Sequence, residues 1–568
     1  MKLNQIISIK YCWLLLVILL AVSSCRKTEL EPVEWIREEL VFDTADTRGV
    51  LAEWFLFDTY NYIPTGFNRI GNDFLDAASG DAIPSRNNTL VENYTNGRVS
   101  VLNNPDPYWS NSYFMIRKAN MFLANINKVP VPALSKQNWR AEARFLRALS
   151  YFELVKRYGG APLVGDKLFT LEDDIQLPRN SFEECVNYIV AECDAVKDSL
   201  RTEPVADGFW GRVPRGAAVA LKCRVLLYAA SPLFNGGGFE TDPVKKALTG
   251  YPAADPARWQ KVIAAAEEFK ALGYYALQPS YPTIFTAKKN AEIILAKQGP
   301  NNFSLEGSQS PVGYINANVS SQGLTSPTQD LVDAFTMSNG LPITDPASGY
   351  NPNNPYIGRD SNRLKATVFY NGLRWLSRGV ETFEGGKDKP NLSSVPVQTK
   401  SGYYLKKFTA DFTNSTAYSN QSHNFILFRY AEILLNYAEA LNEMGRTEEA
   451  VQQIILIRKR AGIANGTNNR NGIKAGITQI EMRDIIRNER RVELAFEEHR
   501  FWDVRRWKIA GQALNTALSG MKITNTGSGF TYQVVPVANI SFTNRLYHMP
   551  IPYDETTKNS KLIQNEGW

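Results

Sequence analysis

Residues 488–507 read NERRVELAFEEHRFWDVRRW, with arginines, carboxylates and large apolar rings in close alternation. From Asp484 to Lys508 the bases are Arg487, Arg490, Arg491, Arg500, Arg505, Arg506 and Lys508. The acids are Asp484, Glu489, Glu493, Glu497, Glu498 and Asp503, so seven against six leaves a charge of +1. A phosphate-binding surface gains affinity from unneutralised cations. Here Asp484 and Arg487, Arg490 and Glu493, and Glu497 and Arg500 stand three apart, a spacing that pairs side chains along a helix. Val492, Ala495, Phe496, Phe501, Trp502 and Trp507 supply an inward apolar face. The stretch therefore predicts an internal ion-pair brace on a buried helix, and nucleic acid is disfavoured as a partner.

The helix entering this stretch begins near Thr478, where Glu481 three residues on completes a capping box. Upstream, residues 429–462 (RYAEILLNYAEALNEMGRTEEAVQQIILIRKRAG) predict a helical pair turning at 445–447. Ala438, Leu441, Gly445, Ala450 and Ile454 stand where a 34-residue tetratricopeptide repeat places small, large, turn, small and large residues. Such a repeat buries its face only against stacked neighbours. The neighbours are legible. Trp109, Tyr113, Ile116, Asn120 and Leu123 form one stripe of a helix ending before Pro130. Phe145, Leu149, Phe152 and Val155 line a second, from about Asn138 to Gly159 and Gly160. Ser181 and Glu184 cap a third, with Phe182, Val186, Ile189, Cys193, Val196 and Leu200 inward. A fourth follows Pro214, and a fifth, set up by Asp255 and Pro256, carries Trp259, Val262, Ala266 and Phe269.

Between about 275 and 424 helical periodicity fades, and Gly, Asn, Ser, Thr and Pro alternate with tyrosine and tryptophan. So much irregular chain held by a rigid scaffold is where recognition groups are placed. The expected fold is mainly α: a tetratricopeptide-like right-handed superhelix with a large loop-rich region packed on it. The scaffold is expected over about 100–274 and 425–515, and the loop-rich ligand region over about 51–99 and 275–424, all within one domain, 51–568.

The totals agree with a globular chain. Of 568 residues, 63 are basic and 57 acidic, for a net charge of +6; near-cancellation implies no polyelectrolyte affinity. The first residues, MKLNQIISIKYCWLLLVILLAVSSC, place Lys2 and Lys10 before an apolar run too short for a membrane span. Residues 1–24 are expected to be a lipoprotein signal peptide and 25–50 a lipid-anchored tether. The ending Val22, Ser23, Ser24, Cys25 resembles the lipobox of bacterial lipoproteins, in which the cysteine takes a diacylglyceryl group and becomes the mature N-terminus. Two or three acyl chains, at about 0.8 kcal/mol per buried CH₂, hold a protein to a membrane. Cys185, Cys193 and Cys223 remain, and are expected to be buried thiols.

The chain as a whole resembles the SusD/RagB family of nutrient-uptake lipoproteins. The residues that carry the likeness are 488–508, FRYAEILLNYAEALNE followed by IRKRAG, RAEARFLRALSYFELVKRYGGAPLV, SPTQDLVDAF and the closing YHMPIPYDETTKNSKLIQNEGW. The resemblance implies an outer-membrane lipoprotein facing the cell exterior, which captures oligosaccharides, or in some members peptides. It implies delivery to a partner, a TonB-dependent β-barrel transporter of the SusC type. In this family acidic residues directly after the lipidated cysteine accompany surface display, whereas here Arg26 and Lys27 precede Glu29 and Glu31. The face of the outer membrane therefore stays open.

No catalytic residues are assigned. The three histidines, His423, His499 and His548, stand in no metal-ligand spacing, and no GxSxG, HExxH or complete phosphate loop occurs. A glycan-degrading carboxylate pair and a scaffold binding only peptide or protein are the alternative readings. No cofactor or metal is expected from a motif, and a structural calcium stays open. Sugar sites combine ring platforms with hydrogen-bonding groups at their edges. Asp73, Asp81 and Arg86 are the candidate hydrogen-bonding groups, and Tyr62, Trp375 and Tyr404 the candidate platforms.

Overall fold

The computed structural model describes residues 38–64, 66–316, 319–412, 421–466 and 468–568. The expected signal peptide and Cys25 lie outside the described residues. Helices α1 (Val50–Tyr60), α2 (Trp109–Asn125), α3 (Ala133–Tyr158), α4 (Phe182–Val196), α5 (Arg215–Ala230) and α6 (Arg258–Lys270) pack each on the next. The expected capping box of α4 forms, with Ser181 accepting from the Glu184 amide, and the stripe behind it is buried. Helix α3 starts five residues before the expected Asn138, directly after Pro132.

The stack does not stop at α6. Helix α7 (Tyr430–Glu443) packs against α6, and α8 (Thr447–Arg460) and α9 (Gln479–Glu493) pack against α7 in turn. Residues 271–429 thus leave the helical stack and return to it at the neighbouring position. Their two ends are clasped by an antiparallel ribbon of β1 (Ile293–Lys297) and β2 (Phe425–Arg429). The insertion builds a core of its own, in which Tyr281, Phe285, Leu331, Leu364 and Phe408 pack with Phe74, Val492 and Phe496. The mainly α, tetratricopeptide-like architecture is as expected. The sequence reading missed α1 and a long hairpin, β3 (Ala517–Asn525) and β4 (Phe530–Asn539), whose first strand buries Leu518, Met521 and Ile523 while the second is largely solvent-facing.

The opening stretch is an internal brace, but its pairs differ from the expected ones. Helix α9 ends at Glu493. Phe496 and Glu498 then adopt left-handed backbone, both at φ 62°, before α10 (His499–Arg506) begins. Three apart along the chain is therefore not three apart along a helix for Glu497 and Arg500. Glu493 and Glu497 instead face the insertion. Arg429, at the end of β2, reaches Glu292 at 2.7 Å, Glu493 at 2.8 Å and Glu497 at 2.7 Å. Arg363 reaches Asp360, Glu489 and Glu493. Arg460 bridges Glu292 and Glu493, and Lys407 reaches Glu497 at 2.7 Å. On the other side of α9, Arg490 pairs with Asp503 at 3.1 Å and with Asn436 at 2.6 Å. Arg487 lies over the Trp507 ring, and Asp484 is exposed. In a buried setting, guanidiniums arriving from other segments replace water around the carboxylates, so they displace the weaker pairing along one helix.

Candidate ligand cleft

At the far end of the ribbon, where the insertion leaves the scaffold, the chain opens into a cleft of about 280 Å³. One wall is the loop after α1, carrying Phe67 and Asn68. The other is the chain on either side of the ribbon: Lys297, Gln298, Gly299, Pro300, Asn302, Ser304 and Leu305 from one side, His423 and Phe425 from the other.

The apolar floor is anchored in the core. Phe67 meets Phe425 edge to face at 5.4 Å and Phe408 at 5.0 Å. Two glycines let the walls approach: a Cβ at Gly66 would lie 2.2 Å from the Phe425 ring, and one at Gly299 would lie 2.2 Å from the His423 carbonyl oxygen. The rim is amide-rich and ordered by its own hydrogen bonds. Asn68 Nδ2 donates to Ser308 Oγ at 2.9 Å and Asn68 Oδ1 accepts from Gln309 at 2.7 Å. Gln298 donates to the Trp210 carbonyl, and Asn302 Oδ1 accepts from the Ser304 amide at 3.0 Å.

The ionisable groups of the cleft are turned inward. Lys297 Nζ donates to the Asn61 and Ile63 carbonyls at 2.9 and 3.0 Å, pinning the α1 loop over the end of β1; burial lowers its pKa. His423 Nε2 pairs with Glu306 at 2.8 Å, and the same carboxylate accepts from the Ala410 amide. A cleft with aromatic floor, neutral amide rim and engaged charges suits an uncharged polyol. Its sugar C–H faces would meet rings, and its hydroxyls would meet groups that both donate and accept. The volume sits just below the usual small-molecule range of about 300–1,000 Å³, which fits part of a longer chain lying across the opening.

The candidate residues are dispersed. Tyr62 is half-buried on the loop pinned by Lys297, its ring stacked on Phe114 at 6.0 Å with an interplanar angle of 5°. Asp73 and Arg86 pair at 2.9 Å, and burial outweighs Arg86 to bring the Asp73 carboxyl up to about 6. Asp81 is buried and pairs with Arg491 of α9 at 2.6 Å, so it belongs to the brace. Trp375 and Tyr404 are not platforms. They are 2% and 0% exposed and pack with Tyr314, Phe369 and Val380 in a small core inside the insertion. Aromatic residues in a Gly- and Asn-rich stretch look like recognition rings, but an insertion this long has to bury apolar side chains to hold its own shape. The Tyr404 hydroxyl, which donates to the Asp388 carbonyl at 2.7 Å, satisfies the polar edge internally. The sequence reading missed Phe67, Gln298, Asn302 and His423; the amide cluster NNF at 301–303 was the available signal.

Residues 291–568 match the model of the SusD family, and residues 57–227 match a second model described as starch-binding, associating with outer membrane. The chain belongs to the SusD/RagB family. Among relatives of this SusD/RagB protein is a SusD-like protein of Formosa agariphila, 26% identical over 98% of this chain and 99% of that one. A SusD-like crystal structure from Bacteroides fragilis superposes with a TM-score of 0.75 at 29% identity, covering 92% of this chain and 98% of the other. A laminarin-binding SusD-like protein shares the fold with a TM-score of 0.62 at 20% identity, over 91% of this chain and 98% of that one. Among the described residues no helix of the SusD/RagB protein is long and apolar enough to cross a membrane.

Proposed function

We propose that this SusD/RagB protein captures an uncharged oligosaccharide in the cleft between the α1 loop and the base of the insertion. Held by an acylated Cys25 at the exterior face of the outer membrane, it passes the sugar to a TonB-dependent β-barrel transporter. The observation that carries the sugar reading is the cleft itself, with aromatic floor, amide rim and charges engaged elsewhere. The relative described as laminarin-binding supports a carbohydrate ligand. Hydrolysis would need two carboxyl groups facing one glycosidic bond, whereas the carboxylate beside this cleft, Glu306, is occupied by His423 and the Ala410 amide. A charged peptide terminus would need an unpaired partner, and Lys297 is committed to two carbonyls.

Titration calorimetry against a panel of neutral glycans, laminarin among them, with chromatography of the mixtures, tests the reading. Expected is binding without products, weakened roughly tenfold, about 1.4 kcal/mol, by Asn302→Ala or Gln298→Ala, as for the loss of one or two hydrogen bonds. Affinity unchanged in both variants rejects this cleft, and products reject the capture role.

A further inference from the structure

Helix α1 presents an apolar stripe to solvent. Leu51, Trp54 and Phe57, three apart, are 37%, 62% and 40% exposed, while Ala52, Leu56 and Thr59 on the other side are buried. The charges beside the stripe are neutralised from the protein side: Glu53 pairs with Arg212 at 2.7 Å and Asp58 with Lys118 at 2.7 Å. Arg212 also lies over the Phe57 ring at 4.5 Å, fixing it in place. Other strongly exposed apolar side chains, such as Leu102, Leu171 and Ile357, stand singly on separate loops, which is ordinary for a protein surface. A contiguous stripe containing tryptophan is not.

The position of α1 in the chain says what covers the stripe. The described chain begins at Glu38, in a short turn of helix (Glu38–Val41) that packs on α1. Cys25 is thirteen peptide links upstream, and a chain of that length spans at most about 45 Å. An acyl anchor at Cys25 therefore holds Glu38, and α1 packed beside it, within about 45 Å of the bilayer. Trp, Phe and Leu on one face of a short helix are the side chains that settle at the boundary of headgroups and acyl chains.

We propose that α1 is a membrane-contact helix: Leu51, Trp54 and Phe57 rest in the lipid interface beside the acylated cysteine, as a second attachment point that fixes the orientation of the cleft relative to the bilayer. This rests on the acyl-anchor reading, and the test separates the two. Full-length acylated protein carrying Trp54→Cys, Phe57→Cys or, as a control, Leu171→Cys is nitroxide-labelled and reconstituted on vesicles of phosphatidylethanolamine and phosphatidylglycerol. Cys185, Cys193 and Cys223 are buried and free, so they do not compete for label. Flotation with the vesicles reads the anchor. Collision rates with oxygen and with a water-soluble nickel chelate read the contact. Expected at 54 and 57 is a preference for oxygen, reversed at 171. Flotation with 54 and 57 as open to nickel as 171 overturns the membrane contact and leaves the anchor standing. Failure to float overturns both. Protection of 54 that appears only when a transporter barrel is reconstituted alongside overturns the lipid assignment in favour of a protein interface.

Discussion

Replacing Glu493 by Gln tests whether the brace holds the insertion to the scaffold. Glu493 is fully buried and accepts from Arg429, Arg460 and Arg363. Around it five cations, Arg363, Lys407, Arg429, Arg458 and Arg460, face five anions, Glu292, Asp360, Glu489, Glu493 and Glu497. Glutamine keeps the shape but leaves one positive charge uncompensated and turns an amide donor toward guanidinium donors. Breaking a buried pair from one side costs about 3–5 kcal/mol. With an unfolding entropy of about 2.1 cal/mol/K per residue over roughly 500 residues, that lowers Tm by about 3–5 °C if the chain melts as one unit. The pH dependence carries a second signature. Burial alone would raise the Glu493 carboxyl, but Arg460, Arg429 and Arg363 overcome it and hold it well below its usual 4.5. A depressed folded pKa contributes stability that is present above the unfolded value and lost as pH falls toward the folded one. Wild-type Tm should therefore drop between about pH 5 and pH 3 more steeply than that of the variant, and the gap between them should narrow in acid. Scanning calorimetry across that range decides. A variant melting within about 1 °C of wild type at pH 7, or parallel pH profiles, refutes the brace as a source of stability.

Arg490→Ala should destabilise by about 1–3 kcal/mol, because it leaves the buried Asp503 carboxylate with Arg506 alone and the Asn436 side-chain oxygen without its donor; urea unfolding with an unchanged midpoint would contradict this. Trp375→Ala should cost about 3–5 kcal/mol through the cavity it leaves beside Tyr314 and Phe369, and loss of glycan affinity at full stability would return that ring to the site. Ser181→Ala removes one half of the α4 capping box and should lower stability by about 0.5–2 kcal/mol, read by the same denaturation. Gly66→Ala pushes a methyl into the Phe425 ring and should reduce glycan affinity several-fold by shifting the cleft wall, measured by calorimetry; unchanged affinity would detach that wall from binding.

The helical stack was legible because its signals are local. Capping boxes at Ser181 and Thr478 and stripes such as Phe182, Val186, Ile189 and Cys193 need no knowledge of distant chain. The charge balance of the brace was legible for the same reason, but its partners were not. Arg429 finds Glu292, Glu493 and Glu497 only because β2 delivers it there, and the break at Phe496 and Glu498 has no glycine to announce it. The cleft is harder still to read from sequence. Phe67, Asn302 and His423 converge through the pairing of β1 with β2, whereas Trp375 and Tyr404, the more conspicuous rings, hold up the insertion from within. Helix α1 carries apolar residues on nearly every side, so its sequence lacks the one-sided pattern by which an amphipathic helix is recognised.

Because residues 293–297 and 425–429 run side by side, the insertion enters and exits the scaffold through a single doorway. A relative could exchange everything beyond that doorway, and with it one wall of the cleft, while the stacked hairpins underneath keep their order. Such an exchange has one electrostatic condition. Any replacement cassette must bring cations equivalent to Arg363 and Lys407, or Glu489, Glu493 and Glu497 are left in a dry interior with only Arg458, Arg460 and Arg429 to offset them.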